Sequence, residues 1–115
     1  ARTEQVGDAR VLAAAIPNVT IDNLREMADQ FRDQARSGVV ALGTVVDDRP
    51  QIIIAVTEDL VKRGVHAGNL IKIVAGMVGG GGGGRPTLAQ AGGRDAALLP
   101  EALARVPTLV REALG

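Results

Sequence analysis

Six consecutive glycines, Gly79, Gly80, Gly81, Gly82, Gly83 and Gly84, run straight into Arg85 and Pro86, and Gln90, Gly92, Gly93 and Arg94 follow closely. Backbone amides without side chains can approach a phosphate closely, and arginine supplies a planar charged fork that matches phosphate geometry. No carboxylate interrupts the chain between Asp59 and Asp95, whereas Lys62, Arg63, Lys72, Arg85 and Arg94 fall inside that window with His66, the only histidine. This is the chemistry of an anion-binding surface. It is not that of a catalyst: no nucleophile and base pair stands out, and one histidine without any cysteine leaves no metal-ligand set. His66 reads as a surface or helix-start residue.

The glycine run has a thermodynamic cost that needs a reason. Each glycine held in a regular element costs roughly 0.5 to 1 kcal/mol more than alanine, so six cost about 3 to 6 kcal/mol against a domain stability of about 5 to 15. Either the run stays mobile or its amides do something that side chains would obstruct. A flexible linker is one reading, although no serine accompanies the glycines and the run sits inside one small domain. A nucleotide phosphate loop is a second. The run satisfies G-x-G-x-x-G trivially, but Arg85-Pro86 stands where a Walker loop needs Lys-Ser/Thr, and the run follows a helical segment rather than a strand. In the third, bare amides approach a nucleic-acid backbone, with Arg85 and Arg94 supplying charge and Gln90 a side-chain amide. Only this one also uses the acid-free window.

Composition narrows the partner. The 115 residues suit one domain and exclude a multidomain enzyme. Phe31 is the only aromatic, so bases cannot be recognised by stacking on rings. The absence of cysteine excludes a disulfide framework and fits a reducing compartment. Net charge is zero, yet from Ala1 to Leu60 six arginines face ten acids, net −4, and from Val61 to Gly115 seven cations face three acids, net +4. Such asymmetry favours an anionic partner on one face. With no signal peptide and no apolar stretch long enough to cross a bilayer, the chain reads as a cytoplasmic fragment without a membrane partner.

These residues need a scaffold, and the pattern supplies an α/β one. Ala9 to Ile16 reads as a strand closed by Pro17-Asn18. Thr20 or Asp22 can cap an amphipathic helix carrying Leu24, Met27, Ala28, Phe31 and Ala35 at helical spacing, stopped at Ser37-Gly38. Val39 to Val46 and Gln51 to Val56 form a hairpin across Asp47-Asp48-Arg49-Pro50, the second strand apolar at consecutive positions as if covered on both faces. Strand, helix, strand gives a parallel pair with a right-handed crossover, and the hairpin makes the sheet mixed. Thr57 can cap a short helix, Glu58 to Arg63, and a second helix from Gly68 to Val78 should bury Leu70, Ile73, Val74 and Met77 and leave Lys72 outside. Leu98 to Leu114 reads as helical, broken or kinked at Pro107. The expectation is a single small domain, β-α-β-β followed by helices, with the Gly-rich segment as a loop between the later helices.

The stretch GGGGGGRPTLAQAGG, Gly79 to Gly93, resembles the signature GGGGRPxxAQAGG near the C-terminus of alanyl-tRNA synthetases. Upstream, LREMADQFRDQ (Leu24 to Gln34), SGVVALGTVV (Ser37 to Val46) and HAGNLIK (His66 to Lys72) resemble the same region in the same order. The chain is therefore similar to the C-terminal globular domain of that family, which is related to the DHH-associated domain of DHH phosphoesterases. The resemblance implies that residues 1–115 are one noncatalytic tRNA-binding fragment of an alanine-tRNA ligase. It would contact the elbow of alanine-specific tRNA and help couple aminoacylation with editing. It implies no cofactor in the fragment, with ATP and magnesium used by the parent enzyme and zinc in its editing domain, and a homodimer formed through the parent chain. The matched positions are the six glycines, Arg85, Pro86, Ala89, Gln90, Gly92 and Gly93; placing Lys62, Arg63, His66, Lys72 and Arg94 on the same surface is an inference from charge. The phosphoesterases carry His or Asn where this chain has Arg85, and their Asp-His-His motif lies in another domain. A dimerisation module and the accessory domain of a DHH-type nuclease are the alternatives.

Overall fold

The computed structural model of the protein describes residues 2–115. In chain order the elements are β1 (Arg2–Val6), β2 (Ala9–Ala15), α1 (Ile21–Gln34), β3 (Gly38–Val46), β4 (Arg49–Val56), α2 (Glu58–Lys62), α3 (Ala67–Met77), β5 (Gly81–Gly84) and β6 (Leu88–Gly92). A 3-10 turn (Ala96–Leu98), α4 (Leu99–Ala104) and α5 (Val106–Leu114) complete the chain. The strands form one six-stranded sheet in the order β1-β2-β3-β4-β6-β5. Only β2 and β3 are parallel, joined by α1 as the crossover; every other neighbouring pair is antiparallel.

The expected β-α-β-β unit forms for the expected reasons. Thr20 caps α1 by accepting from the Asn23 amide at 3.1 Å. Asp47 and Asp48 both take positive φ (52° and 64°), so the β3–β4 connection is a two-residue turn, tighter than the four residues expected, with Arg49 and Pro50 already in β4. Residues Ile52 to Val56 are all fully buried because the sheet is covered on both faces. Ile52, Ile54 and Val56 join one core with α2, α3, α4 and α5, and Ile53 and Ala55 join Leu24 and Ala28 of α1 on the other face.

Three further features differ from expectation. The polar alternation of β1 carried no apolar signal, yet β1 pairs with β2 at one edge of the sheet. Helix α3 is rotated from the expected stripe: Leu70 and Val74 are buried, but with Ala67, Ile71 and Ala75, while Ile73 is 49% exposed and Met77 only half-buried. The buried set recurs at i, i+3, i+4, i+7 and i+8 and turns small residues toward the sheet, so the helix lies close to it. Finally, the glycine segment is not a loop between helices. It is the edge strand β5, paired with β6 through a turn over Arg85, Pro86 and Thr87. At the C-terminal end Pro107 divides the helical stretch as expected, by occupying the first turn of α5.

Candidate nucleic-acid interface

The six glycines do three different jobs. Gly79 ends α3: its φ of +69° suits glycine, and the amides of Gly79 and Gly80 donate to the carbonyls of Gly76 (3.3 Å) and Ala75 (2.9 Å), a Schellman closure. Gly80, Gly82 and Gly84 have no room for a side chain. A Cβ on Gly80 would overlap the Gly92 carbonyl, one on Gly82 the Gln90 carbonyl, and one on Gly84 would lie 2.5 Å from the Leu88 carbonyl. Gly82 and Gly84 pair with Ala91 and Ala89, which belong to the α3 side of the sheet. Gly81 and Gly83 pair with Gly92 and Gln90 and share the opposite face with them, where a Cβ would meet no atom within 4 Å. The Arg85 amide donates to the Leu88 carbonyl at 2.9 Å, which sets the phase of the ladder. Alternation then turns the polar backbone groups of Gly82 away from β6 and onto the free edge.

On that open face the molecule has a step. Helix α1 packs over β3 and β4, touches β6 at Leu88 and Gln90 and leaves β5 uncovered, so the helix is the riser and the hairpin the floor. Arg25 of α1 donates to Gln90 Oε1, and Arg32, paired with Asp29 at 3.0 Å, donates to the Thr87 carbonyl at 3.1 Å. Together they fasten the hairpin to the helix. Arg25, Gly83, Leu88 and Gln90 line one groove at the middle of the step. At the turn end, Arg32, Arg36 and Arg85 line a second with Asp33, Glu58 and Asp59. At the other end Arg49, Gln51, Gly79, Gly80, Gly92, Gly93 and Arg94 line a third.

Arg85, Arg94, Gln90, Gly92 and Gly93 gather with the glycines around the step. Gln90 is partly engaged by Arg25. The remaining basic residues of the window do not gather there. Arg63 pairs with Asp8 at 2.9 Å, in the β1–β2 turn at the far edge of the sheet, and Lys72 is exposed on α3, which covers the opposite face. Lys62 is exposed at the end of α2, and His66 occupies the N-cap position of α3 without a side-chain cap bond. In their place the step recruits Arg25, Arg32, Arg36 and Arg49 from the acidic half of the chain. Arg25 and Arg32 recur at i and i+7 on one side of α1, and Arg36 follows just beyond the helix end.

Two carboxylates are held unusually acidic. The Ser37 hydroxyl, then that of Thr57, donates to Asp59 and lowers its pKa, which keeps a negative charge at the turn end of the step. The Arg63 guanidinium bonded to Asp8 lowers that carboxyl at the far edge. Among the described residues no group of three His, Cys, Asp or Glu could hold a metal ion, and no helix is long and apolar enough to cross a membrane. What the arrangement offers is an unobstructed backbone floor ringed by guanidinium groups.

Comparison with known proteins bears on that offer. The DHHA1 domain family matches residues 8–112. The chain is 49% identical over all 115 residues to an alanine–tRNA ligase of Roseiflexus sp. (strain RS-1), and 50% identical over 109 residues to that of Herpetosiphon aurantiacus. It spans only about an eighth of these relatives, 13% and 12% of their lengths. Among solved structures it is similar to the C-Ala domain of Aquifex aeolicus alanyl-tRNA synthetase, with a TM-score of 0.88 and 30% identity, covering 96% of this chain and 99% of that one. The match in fold, length and sequence agrees with the Gly79–Gly93 signature: the chain belongs to the DHHA1 domain family, as a C-Ala domain of alanyl-tRNA synthetase.

Proposed function

We propose that this domain is the tRNA-binding module of an alanine–tRNA ligase, noncatalytic itself, and that the step between α1 and the β5–β6 hairpin is where the RNA backbone docks. The observation that carries this is the open pair Gly81 and Gly83. Nothing in the fold forbids side chains there, so bare backbone serves something that approaches from outside. A surface with arginines around the rim and no aromatic rings suits shape and phosphate readout of a folded RNA such as the tRNA elbow, and not base stacking. The relatives' name supplies the RNA class: an alanine–tRNA ligase handles tRNA, and a domain that grips its elbow would help keep one tRNA engaged through aminoacylation and editing. In the parent enzyme, ATP, magnesium and an editing-site zinc belong to other domains.

Titrating the 115-residue chain with full-length alanine tRNA between about 50 and 200 mM salt tests the reading. Affinity is expected to fall steeply and linearly on a log–log plot, as counterions are released from the phosphates. Gly83→Val places a side chain into open space on a strand that favours it, so the domain stays folded while tRNA affinity drops by tenfold or more. Absent or salt-insensitive tRNA binding by the unaltered chain overturns the proposal.

A further inference from the structure

Resting on that reading, we infer that the step carries two phosphodiester-binding arginine pairs, one at each end of β5, and that each pair joins one arginine from each half of the chain: Arg49 with Arg94, and Arg36 with Arg85. Among the described residues no hydrogen bond or ion pair engages any of these four guanidinium groups, and all four are exposed. They differ in this from Arg25 and Arg32, whose bonds to Gln90, Asp29 and the Thr87 carbonyl make them positioning residues for the hairpin.

Pairing in the sheet explains why residues so distant in sequence meet. Gln51 of β4 lies opposite Gly92 of β6, which brings Arg49 at the start of β4 beside Arg94 just beyond the end of β6. At the other end, the last residues after α1 bring Arg36 to the β5–β6 turn and Arg85. The groove between Arg49 and Arg94 is lined otherwise by glycine backbone and the Gln51 amide, with the single Asp95 carboxylate at its border beside Gly79. Its local backbone amides are already used: Gly79, Gly80, Gly93 and Arg94 donate to the carbonyls of Gly76, Ala75, Pro50 and Val78. The charge and donors left for an anion are therefore the two guanidinium forks and Gln51, a bidentate arrangement suited to phosphate. The Arg36–Arg85 groove also contains Asp33, Glu58 and Asp59, which oppose an anion, so this pair is the weaker.

The two pairs meet different phosphates. Four residue steps separate Gly80 from Gly84, about 14 Å at the antiparallel rise, too far for one phosphate to touch both ends. The step thus takes a run of RNA backbone lying along β5, gripped at both ends, with the glycine floor beneath it.

The test is a double-mutant cycle on tRNA binding, measured across salt concentrations with circular dichroism to confirm folding. Each of Arg49→Gln and Arg94→Gln should weaken binding about tenfold, in line with loss of a charge-assisted hydrogen bond. The double variant should lose less than the product, because both arginines serve one phosphate. Combining Arg94→Gln with Arg85→Gln should multiply the losses and lower the salt slope by about 0.7 to 0.9 for each phosphate released. Arg36→Gln should cost less than Arg49→Gln, and Glu58→Gln should tighten binding. If the unaltered chain binds tRNA but Arg36→Gln and Arg49→Gln bind as well as it does, the pairs are wrong and the tRNA reading survives. If the unaltered chain does not bind, both fall.

Discussion

Gly80, Gly82 and Gly84 sit on the crowded side of the glycine segment, where an added Cβ would overlap or press on the backbone of β6, while Gly81 and Gly83 sit on the side facing α1, where it would meet nothing. The residues are chemically identical and adjacent, yet the cause of each differs. On the crowded side the cause is inside the fold. Helix α3 lies against the hairpin closely enough that a Cβ on Gly68 would be 3.1 Å from the Gly84 carbonyl, and this approach works because both surfaces lack side chains. On the open side the fold would accept a side chain, and glycine there forgoes the stability a β-branched residue would bring to an edge strand. A homopolymeric run thus holds two interleaved patterns with the period of a strand, one set by packing and one that packing leaves free, which the proposed docking would explain.

The largest effect expected from separating the patterns is on stability. Gly82→Ala puts a Cβ onto the Gln90 carbonyl and the Ala91 backbone, neither of which can rotate away, so the hairpin must shift. Overpacking of this kind costs about 1 to 3 kcal/mol, and a clash against backbone belongs at the upper end. Urea unfolding should show the midpoint falling with little change in slope. Gly83→Ala should go the other way. Its φ is not positive and its Cβ is free, so the loss of unfolded-state entropy should stabilise the domain by about 0.4 to 1 kcal/mol while tRNA affinity falls. If the two substitutions destabilise equally, the division of the strand into a packing face and a docking face is wrong.

The part of the molecule that was legible in the sequence is the part built from side chains. Ile52 to Val56 read as a strand covered on both faces because five consecutive apolar residues have no other use in a short element, and Thr20 or Asp22 marked the start of α1, Thr20 being the cap in the fold. The hairpin β5–β6 was not legible. Glycine carries no strand propensity, and what holds the run extended is its partner β6 on one side and the Schellman closure of α3 before it. The place of Arg85 and Arg94 beside the hairpin is legible because they flank the run. The place of Arg49 is not, because the step is assembled across the sheet rather than along the chain, through the pairing of Gln51 with Gly92. Arg63 and Lys72 belong to the basic window in sequence, but that window splits in space between two edges and two faces of the sheet.

The smallest effect expected lies at that far edge, and it sharpens the comparison because the charge change is the same as at the step. Arg63→Gln removes one positive charge, as Arg94→Gln does, but Arg63 is held by Asp8 in the β1–β2 turn, and both groups are substantially exposed. Substitution there should leave tRNA affinity and its salt slope unchanged. Its effect is confined to stability and follows the carboxyl. Asp8 has its pKa lowered by the Arg63 hydrogen bond, so the pair stabilises the fold above the ordinary aspartate range, and the contribution disappears as pH falls through the lowered value. Because the pair lies in water, the difference between the variant and the unaltered chain should be small at pH 7 in low salt. It should vanish both in about 1 M salt, where the screening length shrinks to about 3 Å, and at a pH low enough to protonate Asp8. Thermal melts across pH and salt would check this. A drop in tRNA affinity on Arg63→Gln equal to that of Arg94→Gln would mean that binding follows total charge rather than the step.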